Sequence, residues 1–311
     1  LAERKLIGAV ARTREEWLCH PQGALLSEQS PAHLDNLGPS DPEPLLPAPR
    51  PLAGVRVLDM THVLAGPVTA RLLAEQGAEV IHVAAAYQPD GLLIDLDTGL
   101  GKRTAYLDLE RRADREHLRE LIRGADVFVQ SWRPGSLARR GFSAEEIAAL
   151  RPGIVQASLS CYGSDGPWAS RGGYEPIGQT VSGLAIGEGT AEQPVLACTF
   201  TLNDYLTAYL AAAGIVGALI KRSARGGSYH VKASLTRTSM WVQELGRLPE
   251  QLWPGQSGGV CELPPIPEEH FQETESVFGT LRHPRPIVRY EETQSRWGLP
   301  PSPPGAGKLD W

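Results

Sequence analysis

The chain has 311 residues, with 30 Lys and Arg against 36 Asp and Glu, for a net charge of −6. That length holds one large domain or two smaller ones, and an acidic chain without a basic block excludes a phosphate backbone as partner, hence no nucleic acid. The longest apolar stretch, residues 205–220, is shorter than the roughly 20 residues of a membrane span, so no membrane partner is expected.

The N-terminus carries charge throughout and does not read as a signal peptide, which points to a cytoplasmic protein. Four cysteines, at 19, 161, 198 and 261, show neither C-x-x-C pairs nor zinc-type His spacing, so reduced thiols and no metal are expected. Only seven of the 26 prolines lie between Leu52 and Gly246. Proline removes a backbone donor and is poorly tolerated inside helices and central strands. The sequence therefore divides into a regular domain at 52–246, an N-terminal arm with a Pro-rich linker at 1–51, and a Pro-rich C-terminal arm at 247–311.

Within the middle, residues 55–60 (VRVLDM) read as a strand. A helix follows, with Pro67 near its first turn and Gly77 closing it, and then a strand at 79–83. Strand, helix and strand in so short a stretch make a βαβ unit and demand a parallel sheet. The alternation continues with strands at 104–109, 126–130 and 154–160 and helices at 113–122 and 144–150. Two further helices are expected at 175–182 and 204–222, the latter with Leu206, Tyr209, Leu210, Ala213, Val216 and Ile220 on repeating turns, before a strand at 228–235. The fold class is α/β, an open Rossmann-like parallel sheet with helices on both faces. A dinucleotide-binding reading fails, because the first βα turn at 61–67 has one glycine where G-x-G-x-x-G needs three.

Asp204 opens the long apolar helix, where it reads either as an ordinary capping aspartate or as a functional carboxylate. Before it lies a Gly-rich turn, residues 172–183 (GGYEPIGQTVSG). These segments, with 52–67 (LAGVRVLDMTHVLAGP), 101–103 (GKR), 107–109 (LDL), 125–127 (ADV), 133–135 (RPG), 140–142 (RGF) and 226–234, resemble in order the class III CoA-transferases, a family that includes carnitine and formyl-CoA transferases and 2-methylacyl-CoA racemases. The resemblance spans about residues 52–240.

The resemblance implies that Asp204 is the nucleophile of an acyl-CoA:carboxylate CoA-transferase. The carboxylate attacks the donor thioester to form an aspartyl–acyl anhydride, CoA converts this to an aspartyl-CoA thioester, and the acceptor carboxylate takes the CoA. A racemase reading requires a second base, and racemases have a histidine where this chain has Tyr174. A tyrosine titrating near 10 is a poor base. Glu175 reads as a second functional carboxylate or as a first-turn helix acid. The resemblance further assigns CoA contacts to His62, Val63 and Ala65 on the first βα turn, Lys102 and Arg103 as phosphate cations, Ser131 and Trp132 after the fourth strand, and Arg139. Coenzyme A or acyl-CoA is expected as substrate with a small carboxylic acid, and no permanently bound cofactor is expected.

The chain also departs from the family pattern. Residues 83–87 (VAAAY) lack the family's acidic residue, proline turn and arginine, Leu64 replaces a polar residue, and the glycine loop has only a weak candidate at 255–259. Residues 12–23 resemble the end of the family's small domain, displaced ahead of the sheet. These departures keep open a non-catalytic CoA-binding half and point to pairing with a second transferase half, while the resemblance implies an interlocked homodimer, whose wrapping arms the Pro-rich flanks fit.

Overall fold

The first strand of the expected βαβ unit is β2, Arg56–Met60, and its β-branched and apolar residues are buried on both faces, as a central parallel strand requires. The computed structural model describes residues 6–87, 90–197, 199, 201–247 and 265–311. Helix α3 (Ala65–Glu75) crosses to β3 (Glu79–Ala84), and Gly77, at φ 107, turns the chain after the helix as expected. Strand β4 (Lys102–Tyr106), helix α5 (Arg112–Arg123), strand β5 (Val127–Gln130), helix α6 (Ala144–Leu150) and strand β6 (Val155–Ser160) continue the alternation. Helices α7 (Glu175–Ser182) and α9 (Leu202–Arg225) precede strand β7 (Ser228–Ser234).

These strands form one sheet with an added strand, β1 (Ala32–Gly38), in the order β1-β7-β6-β5-β2-β3-β4. All pairings are parallel except β1 with β7. One face packs on α3 and α9 through Val57, Leu73, Val80, Ile215 and Leu219, and the other on α5 and α6 through Leu58, Ile81, Leu118, Phe128 and Ile147. The α/β class is thus as expected. Helix α9 is long and apolar enough to cross a membrane by composition, yet half of that stretch is buried against the rest of the molecule.

The N-terminal flank departs from the expected arm. It supplies β1, and helices α1 (Arg14–Cys19) and α2 (Pro21–Ser27) pack against the sheet's helices. Trp17 is 0% exposed in the main core, and the buried Gln22 side chain donates to Tyr162 O and Asp165 O while accepting from Trp168 N. The physical reason is edge protection: β7 would otherwise present an unpaired edge. Also unforeseen are α4 (Leu92–Thr98), α8 (Leu184–Glu188), α10 (Leu235–Glu244) and a hairpin of β8 (Phe271–Ser276) and β9 (Gly279–Pro284). The last segment lies along the opposite edge of the same sheet. Gly101 N donates to Leu299 O (2.9 Å), Thr104 Oγ1 to Pro303 O (2.7 Å) and Gly307 N to Thr104 O (2.6 Å), and Trp311 Nε1 donates to Leu121 O.

Candidate active site

In an open α/β sheet the ligand crevice lies beyond the carboxyl ends of the strands, where the strand order reverses. Here β2 has β3 on one side and β5 on the other, so the reversal falls between β2 and β5. The turn after β2 meets the turn after β5 at this point. Ser131 Oγ accepts from His62 N (3.0 Å) and lies 3.2 Å from His62 Nδ1. Burial lowers the His62 pKa below its usual value, keeping the ring neutral at neutral pH. Beside it opens a cleft lined by His62, His82, Asp95, Tyr106, Trp132 and Pro304.

The β2–α3 turn is strained. Val63 has φ 67, the one positive φ outside glycine among the described residues. A β-branched side chain pays roughly 1–3 kcal/mol in that region, and such strain concentrates at functional turns. Leu64 then caps α3 without a side-chain hydrogen bond, leaving the first N–H groups of the helix to other partners. Gly66 lets this turn close up, because a Cβ there would stand 2.4 Å from Thr61 Cβ.

One of those free N–H groups is used by Asp204. Its carboxylate, on the first turn of α9, accepts the backbone N–H of Ala65. The N-terminus of α9, in turn, is capped from α7. Glu175 Oε1 accepts Asn203 N (3.1 Å) and Gln179 Nε2 (2.7 Å). Two carboxylates therefore join the N-termini of three helices, α3, α7 and α9, each placed where helix dipoles favour negative charge. Both are buried, Glu175 at 2% exposure and Asp204 at 9%. Burial, with the Glu175 charge adding to it, pushes the Asp204 carboxyl up to about 7, and burial raises Glu175 as well. Cys161 lies near both, and burial pushes its thiol up to about 12, so it is no thiolate nucleophile. A buried carboxylate held by a backbone donor, with no cation pairing it among the described residues, is suited to covalent attack or proton transfer.

The other expected residues separate into two groups. His62, Val63, Ala65, Ser131 and Trp132 gather at the crevice, Trp132 lining the cleft. Tyr174, 50% exposed, is the N-cap residue of α7, and no hydrogen bond joins it to Asp204 among the described residues. Arg139 lies exposed on the 138–140 turn beyond β5. Lys102 and Arg103, expected as phosphate cations, are held by partners of their own. Both start β4, at the sheet end away from the crevice. Lys102 is 2% exposed, its Nζ held by Asp59 Oδ2 (2.9 Å) and Pro67 O (2.7 Å). Arg103 is paired with Glu79 and with Asp310. The glycine-loop candidate at 255–259, and Cys198 and Cys261, lie outside the described residues.

The network around Asp59 was not foreseen. Asp59 Oδ2 also meets His82 Nδ1 (3.0 Å), and Oδ1 accepts both the backbone N–H and the hydroxyl of Thr61. Burial alone would raise the Asp59 carboxyl, but Lys102 and His82 hold it well below the usual carboxylate range. A lone acid inside an apolar parallel strand was the available signal, since a buried charge needs a partner. The network braces the floor of the cleft from below, where His82 lines it.

The model of CoA-transferase family III matches residues 52–261. An acyl-CoA transferase of Gibberella moniliformis is 33% identical over 97% of this chain and 61% of its own length. An acetyl-coenzyme A transferase, nodX, of Hypoxylon pulicicidum is 37% identical over 66% of this chain and 36% of its own. A formyl-CoA:oxalate CoA-transferase of Streptomyces avermitilis is 35% identical over 59% and 47%. Among solved structures, Rv3272 from M. tuberculosis superposes with a TM-score of 0.58 at 27% identity, covering 63% of this chain and 58% of that one. The chain spans less than two thirds of the length of these curated relatives.

Proposed function

The chain belongs to CoA-transferase family III, and from that premise we propose that it moves CoA from an acyl-CoA donor to a small carboxylic acid, with Asp204 as the nucleophile. The observation that carries this reading is the Asp204 carboxylate, buried at the meeting point of three helix N-termini and held by Ala65 N–H. It is supported by relatives named as acyl-CoA and formyl-CoA:oxalate CoA-transferases.

In the proposed sequence an Asp204 oxygen attacks the thioester carbonyl, the C–S bond breaks, and CoA leaves as thiolate from an aspartyl–acyl anhydride. The thiolate attacks the aspartyl carbonyl, freeing the donor acid and leaving an aspartyl-CoA thioester. The acceptor carboxylate attacks that thioester to give an aspartyl–acceptor anhydride, and the released thiolate attacks the acceptor carbonyl, restoring Asp204. Splitting the exchange into such steps keeps every intermediate an activated acyl group. At the start of α3, Pro67 has no N–H and Val68 N–H donates to Leu64 O, so the Gly66 N–H, next to the Ala65 N–H that Asp204 accepts, is the donor suited to the oxyanion that forms at each carbonyl. CoA would lie along the 62–65 turn, with Ser131 and Trp132 on its other side and Arg133 and Arg139 as exposed cations on the loop after β5.

Asp204 near neutrality would also suit proton exchange at a substrate α-carbon, and one experiment separates the two reactions. The full chain is incubated with acyl-CoA and a labelled carboxylic acid in deuterated water. Transfer of CoA to the label without α-deuteration, abolished by Asp204→Asn, supports the transferase. Deuterium in the α-position without transfer would replace it with a racemase, and binding with neither would leave a CoA-binding half. We further propose a cytoplasmic setting and association with a second copy or a second transferase half.

A further inference from the structure

At the carboxyl ends of the strands, the apolar face that packs on α5 and α6 gives way to polar side chains. Phe128 on β5 is followed two residues on by Gln130, on the same face. Gln130 stands opposite Ser158 on β6, and the next strand, β7, contributes His230. Ser158 and His230 are each 8% exposed, so their polar atoms need partners. They find them in a single line across three neighbouring strands. Trp132 N donates to Gln130 Oε1 (2.7 Å), Gln130 Nε2 donates to Ser158 Oγ (2.7 Å), and Ser158 Oγ lies 2.7 Å from His230 Nε2.

The direction of the line follows from its first bond. Trp132 offers a backbone N–H, so Gln130 turns its oxygen there and its amide N–H to Ser158. Ser158 Oγ accepts that proton and has its own to give, which a neutral His230 ring can take at a bare Nε2. The ring is neutral at neutral pH: burial and Lys232 draw its pKa down to about 4, against the opposing charges of Asp35, Glu145 and Asp165. The line ends on the main chain of the loop after β5. Trp132 of that loop lines the cleft, and Ser131 is bonded to His62 across the crevice.

Resting on the reading that CoA lies beside this loop, we propose that Gln130, Ser158 and His230 are positioning residues for the acyl-CoA donor: their relayed hydrogen bonds fix the Trp132 main chain, and with it the side chain that walls the cleft. None of the three lines the cleft. They act on donor affinity through Trp132 and leave the covalent steps at Asp204 alone. A loop already held in its binding conformation loses less freedom when the ligand arrives, which is where the affinity comes from.

The test measures the effect and the relay separately. Binding of coenzyme A to the full chain is followed by titration calorimetry. In Ser158→Ala, which removes the middle link without adding bulk, the Kd for CoA should rise about fivefold. In turnover, KM for acyl-CoA should rise by a similar factor, while kcat and the KM of the acceptor acid change by less than about twofold. His230→Leu should weaken CoA binding in the same way, and His230→Gln, whose amide oxygen stands in for Nε2, should recover most of the affinity. Nitrogen NMR of histidine-labelled protein, assigned by the resonance lost in His230→Gln, should show Nε2 bare and Nδ1 protonated. A proton on Nε2 overturns the relay. CoA bound by the unaltered protein, and equally well by Ser158→Ala and His230→Leu, overturns the positioning role and leaves the transferase reading standing. No CoA binding by the unaltered protein refutes that reading, and the positioning role with it.

Discussion

Replacing Asp204 with Asn should make the protein more stable at neutral and alkaline pH and leave it nearly unchanged near pH 4. The Asp204 carboxyl rises from its ordinary 3.8 to about 7 because it is buried and faces Glu175. Its folded-state pKa lies above the unfolded value, so the folded state binds the extra proton between those two pH values. Stability is therefore lost as pH rises through this window, and the penalty is complete above about 7. At about 1.36 kcal/mol per pH unit the penalty approaches about 4 kcal/mol, an upper value because Glu175 relaxes when its neighbour is neutral. Asn keeps an oxygen for Ala65 N–H, so the capping bond survives. Urea unfolding of both proteins at a series of pH values measures the difference. The expected gain grows from near zero at pH 4 to a few kcal/mol at pH 8. A gain that does not change with pH would refute the buried, uncompensated carboxylate and with it the reasoning for the site.

The remaining expectations concern the frame of the site. Lys102→Met strands the Asp59 carboxylate, so thermal or urea unfolding should show a loss of about 3–5 kcal/mol, partly restored by adding Asp59→Asn; a loss below 1 kcal/mol would contradict the buried ion pair. Val63→Gly relieves the positive φ at the expense of glycine's extra chain entropy, a net gain of about 1 kcal/mol by urea unfolding. His230 is buried against Ser158 Oγ (2.7 Å) and its pKa is pushed down to about 4 by burial and by Lys232. Its folded value lies below the ordinary 6.5, so the unfolded chain takes up the proton first as pH falls. Up to about 3 kcal/mol of stability should be lost between pH 6.5 and 4. His230→Gln should flatten that part of the stability profile, and an unchanged slope would reject the neutral buried histidine.

Much of this architecture is legible in the chain because parallel strands buried on both faces carry dense apolar runs, and α3, α5 and α9 between them end at glycines. Residues 55–60, 79–83 and 154–160 show it plainly. Strand β1 was hidden for the opposite reason: as an edge strand it alternates His33 and Asp35 with Leu34, and prolines surround it. Asp204 stands out through its place at the head of a long apolar helix. Lys102 misleads, because a lysine two residues after Leu100 reads as an exposed cation unless the lone Asp59 on β2 is recognised as its partner. The cross-capping of α9 by Glu175 and of α3 by Asp204 joins residues 28 and 139 positions apart, and no local pattern announces contacts of that range.

The central claim is that the Asp204 carboxylate becomes covalently acylated. The most direct measurement is peptide mass spectrometry of the full chain after incubation with acyl-CoA donors and trapping with hydroxylamine. The account predicts a hydroxamate on Asp204 that depends on acyl-CoA and is absent from Asp204→Asn. A trapped adduct at another residue, or CoA transfer that proceeds with Asp204 unmodified, would contradict it.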